Sequence, residues 1–205
     1  MTPRTITLVN GSLGGEGGNT GTLLVPLLHR LRTEVRVEEL HLAVDARAIE
    51  ELAPLLARSD GFVFATGTYW DSWGSPLQRF LERTTPLEAG PTWLGKPAAV
   101  VVTMHSVGGK GVLSRLQGVL STLGLSIPPM SGLVMSLATE LALDHPAAVD
   151  EVADLWSRED LDVVAHNLLE AVRNGRAFRA WPVSRADASR RWARERSPDS
   201  EHPEP

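Results

Sequence analysis

A glycine-rich segment between a short apolar run and a leucine-rich segment constrains this chain more than any other feature. Residues 10–22 have the sequence NGSLGGEGGNTGT and lie between the apolar runs 6–9 and 23–25, which predicts a loop joining a buried strand to a helix. Glycine allows the N–H groups of such a loop to turn inward and lie close to a ligand. Asn19 and Thr20 are expected to cap the helix, whose positive end would face the same hollow. This combination is typical of an anion site, most often for a phosphate.

Two common phosphate-binding motifs are absent from this segment. The loop of nucleotide hydrolases needs G-x-x-x-x-G-K-[ST], and the only lysines of the chain are Lys96 and Lys110. The dinucleotide fingerprint G-x-G-x-x-G is missing as well. What remains is a cradle of neutral donors, formed by backbone N–H groups and the side chains of Ser12, Asn19 and Thr20. A glycine loop that holds no ligand is the alternative.

Composition narrows the class of protein. A length of 205 residues with 42% hydrophobic residues suits one α/β domain, which we place at residues 1–183, followed by a polar and disordered tail at 184–205. The formal charge of −5 argues against a nucleic-acid partner. Absence of cysteine excludes disulfides and thiolate chemistry. No histidine spacing suggests a metal site. Because no apolar run suggests a membrane segment, a cytoplasmic protein is expected.

Apolar runs alternate with helical patterns along the chain. Strands are predicted at residues 5–10, 35–41, 61–66, 98–104 and 125–127. Helices are predicted after the glycine segment and at residues 46–58, 75–85, 112–123 and 146–175, the last with a break near Ser157. Residues 90–97 are expected to form a surface turn, and the conformation of residues 130–143 stays open. This order predicts a parallel sheet covered by helices on both faces.

Polar, glycine-containing loops follow the first, third and fourth predicted strands. They comprise residues 10–22, 67–74 and 105–111. Because the carboxyl ends of parallel strands share one edge of the sheet, these loops are expected to surround a common ligand site.

Three segments together resemble the NAD(P)H-dependent FMN reductase family. They are GSLGGEGGNT, TGTYWDSWGSPLQRFLERT and LGKPAAVVVTMHSVGGKGVLSRLQGVLSTLGL, and they span roughly residues 5 to 128. The resemblance implies a flavodoxin-like three-layer α/β/α sandwich with a five-stranded parallel sheet in the order 2-1-3-4-5. In the first segment Leu13 stands where the family often carries an arginine.

The same resemblance implies which residues hold the flavin. The phosphate would be bound by Ser12, Gly18, Asn19 and Thr20. The isoalloxazine ring would be lined on one side by Thr68, Tyr69, Trp70 and Ser72, and on the other by Thr103, His105, Ser106, Gly108 and Gly109. Trp70 and Trp73 suit either stacking on the ring or an interface between copies of the chain. His105 is a candidate proton donor, or simply a loop histidine that hydrogen-bonds the backbone.

The implied activity is that of an FMN-dependent NAD(P)H oxidoreductase. Hydride would pass to flavin N5 and then to a small-molecule acceptor such as a quinone, a free flavin or an azo compound, so no side chain need act as a nucleophile. A homodimer or homotetramer is expected. The alternatives are a flavodoxin-like electron carrier, and a flavodoxin-like scaffold that has lost the flavin and serves as an interaction module.

Overall fold

The computed structural model describes residues 3–143 and 157–174. Its strands are β1 (Thr5–Asn10), β2 (Arg36–His41), β3 (Gly61–Gly67), β4 (Ala98–Met104) and β5 (Gly132–Ser136). Its helices are α1 (Asn19–Arg32), α2 (Ile49–Arg58), α3 (Ser75–Arg83), α4 (Gly109–Leu123), α5 (Leu137–Leu143) and α6 (Asp160–Arg173). The expected domain end at residue 183 and the expected tail at 184–205 lie outside the described residues.

The five strands form one parallel sheet in the order β2-β1-β3-β4-β5. This arrangement confirms the fold class and the strand order expected from the sequence. β3, at the centre, is buried at all of its positions. A strand covered by helices on both faces needs no polar side, and this explains its continuous apolar sequence.

Helices cover both faces of the sheet. α1 and α6 pack together on one face, where their leucines and valines meet Leu8, Val63 and Val101 of the strands. α2, α3 and α4 pack on the other face against Phe62 and Phe64. Because α1 follows the loop after β1, its start lies at the edge of the sheet where the strands end.

The predicted position of the fifth strand is wrong. Residues 125–127 contribute only an isolated bridge between Ser126 and Pro97. Pro128 and Pro129 follow, and proline has no N–H to donate to a ladder. The chain re-enters the sheet at Gly132, opposite Val100 of β4. Residues 130–143, left open in the sequence, thus supply β5 and α5.

The predicted surface turn at residues 90–97 is only partly correct, because its centre is buried. Trp93 has no exposed surface. Its ring centroid lies 4.9 Å from that of Phe62 and 6.5 Å from that of Phe80. The turn therefore contributes a large apolar side chain to the core on the α3 side of the sheet.

α6 accounts for the described part of the predicted helix at 146–175. It begins at Asp160, three residues after the predicted break at Ser157, whose N–H donates to Asp160 Oδ2 at 2.7 Å. In residues 3–143 and 157–174, no helix combines the length and the apolar character needed to cross a membrane.

Replacement of Trp93 by alanine should strongly destabilise the protein. The change removes the largest fully buried side chain and leaves a cavity beside Phe62, so the free energy of unfolding should fall by about 3–5 kcal/mol. Urea denaturation measures this difference. Val44→Ala, at a side chain that is 82% exposed, is the control and should change stability by less than about 0.5 kcal/mol. Equal effects of the two substitutions would contradict this packing.

Candidate functional site

The loops that follow β1, β3 and β4 enclose a cavity of about 410 Å³ at the carboxyl edge of the sheet. Small-molecule sites usually measure about 300 to 1,000 Å³. Three loops, the start of α1, the junction of β5 with α5, and a residue before α6 all contribute to the wall. The lining consists of Ser12, Gly14, Gly18, Asn19, Thr20, Thr22, Leu23, Gly67, Thr68, Tyr69, Thr103, Met104, His105, Met135, Leu137, Glu140 and Arg158.

The glycine loop is held by the side-chain amide of Asn10, the last residue of β1. Asn10 is fully buried. Its Nδ2 donates to the carbonyl of Gly15 at 3.0 Å and lies 3.3 Å from Nδ1 of His41. Its Oδ1 accepts from the N–H and the hydroxyl of Ser12, at 3.1 and 2.8 Å. Ser12 therefore directs both donors at Asn10, and its main role in this geometry is to shape the loop.

Close backbone approaches explain the glycines of this loop. A Cβ on Gly14 would lie 2.9 Å from the Cα of Gly18, and a Cβ on Gly21 would lie 1.9 Å from the carbonyl oxygen of Glu16. Side chains at these positions would force the loop away from the start of α1. The glycines thus keep the loop folded against the helix.

The start of α1 carries no side-chain cap. Gly18 is the N-cap residue, and Asn19 and Thr20 lie in the first turn, so the expected capping by these two side chains is wrong. Both line the cavity. The first N–H groups of a helix have no partner within the helix, and the helix dipole makes this end attractive to an anion.

A hydrogen bond joins the start of α1 to the end of β4. The hydroxyls of Thr20 and Thr103 lie 2.7 Å apart, and both residues line the cavity. This contact fixes the glycine-loop side of the cavity relative to the loop that follows β4.

The loop after β3 presents one hydroxyl that has no partner. Thr68 Oγ1 is buried and makes no hydrogen bond among the described residues. Tyr69, beside it, accepts a hydrogen bond at its hydroxyl from the N–H of Leu13 at 3.1 Å. A buried polar atom without a partner is unusual in a folded protein, and a polar group of a ligand would satisfy it.

A two-residue turn carries Trp70 away from the cavity. Tyr69 and Ser72 exchange both backbone hydrogen bonds, at 2.8 and 2.9 Å, while Trp70 and Asp71 have φ angles of +50° and +58°. Trp70 is consequently fully exposed, at 102%. Trp73 instead packs against the core, and its Nε1 donates to Gln78 at 2.8 Å.

The loop after β4 contributes His105 to the lining and connects to α5. The carbonyl of His105 accepts from the N–H of Ala138 at 2.8 Å. Gly108 has a φ of +87°, and a Cβ there would lie 2.2 Å from Asp71 Oδ1. A Cβ on Gly109 would lie 2.4 Å from Val134. These two glycines allow close packing of the loop.

The structure brings most of the predicted flavin contacts together in one cavity. Those that line it are Ser12, Gly18, Asn19, Thr20, Thr68, Tyr69, Thr103 and His105. Those that lie outside the lining are Trp70, Ser72, Ser106, Gly108 and Gly109. As flavin contacts, all of them stay predictions.

Several lining residues were missed in the sequence. They are Gly14, Thr22, Leu23, Gly67, Met104, Met135, Leu137, Glu140 and Arg158. The first five lie within three positions of a predicted site residue. The others follow from the position of β5: with a strand at 132–136, the rule that ligands lie beyond strand ends would have indicated Leu137. No signal in the sequence would have indicated Arg158.

The residues present fit an FMN group. The uncapped start of α1 offers N–H groups suited to a phosphate, and the hydroxyl of Thr68 lacks a partner. Tyr69 and Met135 add surfaces on which a flat ring can pack. A metal is a poorer match, because the described His, Asp and Glu residues form no group of three that could hold one.

Comparison with known proteins gives a family match. A sequence model of the family "NADPH-dependent FMN reductase" matches residues 4–140. A curated NAD(P)H dehydrogenase (quinone) from Chelativorans sp. (strain BNC1) is 38% identical over 79 residues, which cover 37% of this chain. The matched part of the chain spans 39% of that relative's length.

Solved structures share the fold. An oxidoreductase from Corynebacterium diphtheriae has a TM-score of 0.64 at 17% identity and covers 84% of this chain and 98% of its own. An NADH:FMN oxidoreductase has a TM-score of 0.62 at 20% identity, covering 82% and 89%. General stress protein 14 from Treponema denticola, solved with FMN, has a TM-score of 0.53 at 14% identity, covering 83% and 98%. At these identities the likeness establishes the fold alone.

Asn10→Asp should disrupt the glycine loop. The carboxylate still accepts from Ser12 but cannot donate to the carbonyl of Gly15, which keeps only a long contact of 3.4 Å with the hydroxyl of Ser12. We expect the free energy of unfolding to fall by about 1–3 kcal/mol, measured by urea denaturation. Asn167→Asp is the matched control, since Asn167 also donates to a backbone carbonyl, that of Pro129, but is outside the cavity lining. Similar losses in both variants would contradict a special role for Asn10.

Thr68→Val and Thr66→Val should have opposite effects on stability. The hydroxyl of Thr66 donates to the carbonyl of Gly67 and accepts from the N–H of Gly74, both at 3.0 Å, so its loss should cost about 1–3 kcal/mol. The hydroxyl of Thr68 makes no such bond, so its loss should leave the flavin-free protein equally or more stable. FMN affinity should nevertheless fall in Thr68→Val. Thermal unfolding with and without FMN measures both effects, and a destabilised flavin-free Thr68→Val protein would contradict them.

Proposed function

Since this chain belongs to the NADPH-dependent FMN reductase family, we propose that it is an FMN-dependent oxidoreductase that takes electrons from NADPH or NADH and reduces a small-molecule acceptor, such as a quinone or a free flavin. The observation that carries the proposal is that the residues matched by the family and the loops around the cavity lie in the same part of the chain. The residues matched by the family, 4–140, include all three loops that bound the cavity. The uncapped start of α1 and the unpartnered hydroxyl of Thr68, both in the wall of the cavity, lie within them.

The chain's own residues would bind and orient the reactants. The N–H groups at the start of α1 would hold the phosphate, while Thr68 and Tyr69 would contact the ring. Bound FMN would supply the redox chemistry, accepting hydride from the nicotinamide and passing two electrons to the acceptor. The protein would leave one side of the ring open, because the nicotinamide and the acceptor have to reach it in turn.

Two spectroscopic measurements test this proposal. Purified protein supplied with FMN should retain it through gel filtration and show the visible absorbance of bound flavin. Anaerobic stopped-flow mixing with NADPH and with NADH should bleach that absorbance, and addition of a quinone should restore it. Retention without bleaching by either nicotinamide would favour the electron carrier. Failure to bind FMN would favour the flavin-free scaffold.

We also propose that the protein is a homo-oligomer whose interface lies beside the cavity. Three exposed apolar side chains support this, since one stands on each loop: Leu13 is 52% exposed, Trp70 102% and Val107 73%. Large exposed apolar groups that lie together commonly mark an interface. A cytoplasmic location, where reduced nicotinamides are supplied, accompanies the proposed activity.

Trp70→Ala should shift the protein towards the monomer. The tryptophan would lose its partner surface on the second copy, and large aromatic side chains carry much of the binding energy of interfaces. Analytical ultracentrifugation over a range of concentrations should show a dissociation constant raised by about tenfold or more. Met130→Ala is the control, because Met130 is 75% exposed but precedes β5 at the opposite edge of the sheet. An unchanged dissociation constant for Trp70→Ala would contradict the proposed interface.

A further inference from the structure

The glycine loop leaves the charge of an FMN phosphate without a cationic side chain. Residues 10–22 contain neither lysine nor arginine, and their one charged residue is Glu16. The start of α1 provides the equivalent of only about half a positive charge. A phosphate monoester carries close to two negative charges at neutral pH. A cation from elsewhere in the chain would therefore strengthen the preference for FMN over an uncharged flavin.

Arg158 is the one permanently charged cation among the described residues that line the cavity. It lies two residues before α6, and it shares the lining with Asn19 and Thr22 of α1. The two helices run side by side in the same direction. Arg30 and Asp162 pair at 3.2 Å near the start of α6, while Glu34 and Arg173 pair near its end.

This parallel packing places Arg158 on the α1 side of the cavity, where it also adjoins Pro26 of α1. A residue before the start of α6 lies towards the start of α1, which is the uncapped end that faces the cavity. Two other cations, Lys96 and Arg30, are held elsewhere. Lys96 donates to the carbonyl of Ala57 at 2.8 Å, at the end of α2, and Arg30 pairs with Glu34 and Asp162 outside the cavity lining.

Glu140 of α5 orients the guanidinium of Arg158. Arg158 Nε lies 2.9 Å from Glu140 Oε1, and its Nη2 lies 3.4 Å from Oε2. The pair is accessible, with side-chain exposures of 56% for Arg158 and 30% for Glu140. An exposed pair of this kind contributes little to stability, so the guanidinium can share its donors with an anionic ligand at small cost. Guanidinium groups bind phosphate oxygens through two parallel hydrogen bonds.

We propose that Arg158 is the phosphate-recognition residue of this protein and determines its selectivity for FMN over flavins that lack the phosphate. It supplies from the start of α6 the positive charge that the glycine loop does not contain. Glu140 positions it and moderates its charge when no phosphate is bound. This inference rests on the proposed flavin-binding function.

Titration of flavin-free protein with FMN and with riboflavin, which lacks the phosphate, tests the inference by binding alone. Quenching of flavin fluorescence gives both dissociation constants. Arg158→Ala should raise the dissociation constant for FMN by about 10- to 100-fold and leave that for riboflavin unchanged. Arg30→Ala, which removes an arginine from the same face outside the lining, should change neither constant.

Glu140→Gln separates phosphate recognition from a merely structural role. It removes a negative charge from the cavity while leaving an amide to orient Arg158, so FMN affinity should rise and riboflavin affinity should stay constant. An equal loss of FMN and riboflavin affinity in Arg158→Ala would overturn the inference, as would a loss of FMN affinity in Glu140→Gln. Equal affinity of the unaltered protein for both flavins would overturn it while leaving the proposed function intact. Binding of neither flavin would overturn the proposed function itself.

Discussion

The site depends on the side-chain amide of Asn10, the last residue of β1. Asn10 lies in a strand paired on both sides, with β2 and β3, so its position is set by the sheet. Its amide then determines the path of the next residues by satisfying the N–H and hydroxyl of Ser12 and the carbonyl of Gly15. Buried backbone groups need such partners. The sheet, through Asn10, thereby fixes the conformation of a loop whose glycines have little conformational preference of their own.

Much of the fold could be predicted because its signals are local. Continuous apolar runs marked β1, β3 and β4, and the alternation with helices indicated a parallel sheet with its loops at one edge. β5 was misplaced because Leu125 and Ile127 are as apolar as the true strand, and only the proline pair between them and Gly132 reveals that the ladder is interrupted. Residues 90–97 were predicted to form a surface turn because their glycines and prolines are typical of turns. Residue spacing alone does not show that Trp93 within this turn packs into the core.

The site was predictable where it is built from neighbouring residues and unpredictable where distant segments meet. Thr20 was identified within the glycine loop and Thr103 near the end of a predicted strand, but their hydrogen bond depends on how α1 crosses the sheet. Glu140 belongs to α5 and Arg158 lies before α6, and their contact is set by the packing of these two segments around β5. Trp70 was expected at the ring because aromatic residues suit that place. The turn geometry, which no sequence pattern in that loop specifies, directs it to solvent.

The turn at Trp70 and Asp71 has an unfavourable backbone conformation for the residues it contains. Two-residue turns with both central residues in the left-handed region are normally built from Asn-Gly or Asp-Gly, which adopt it at little cost. A tryptophan in that conformation strains the backbone by about 1–3 kcal/mol, and an exposed indole offers no burial in return. The tip of this loop thus combines backbone strain with an exposed indole, and neither contributes to the stability of the folded chain.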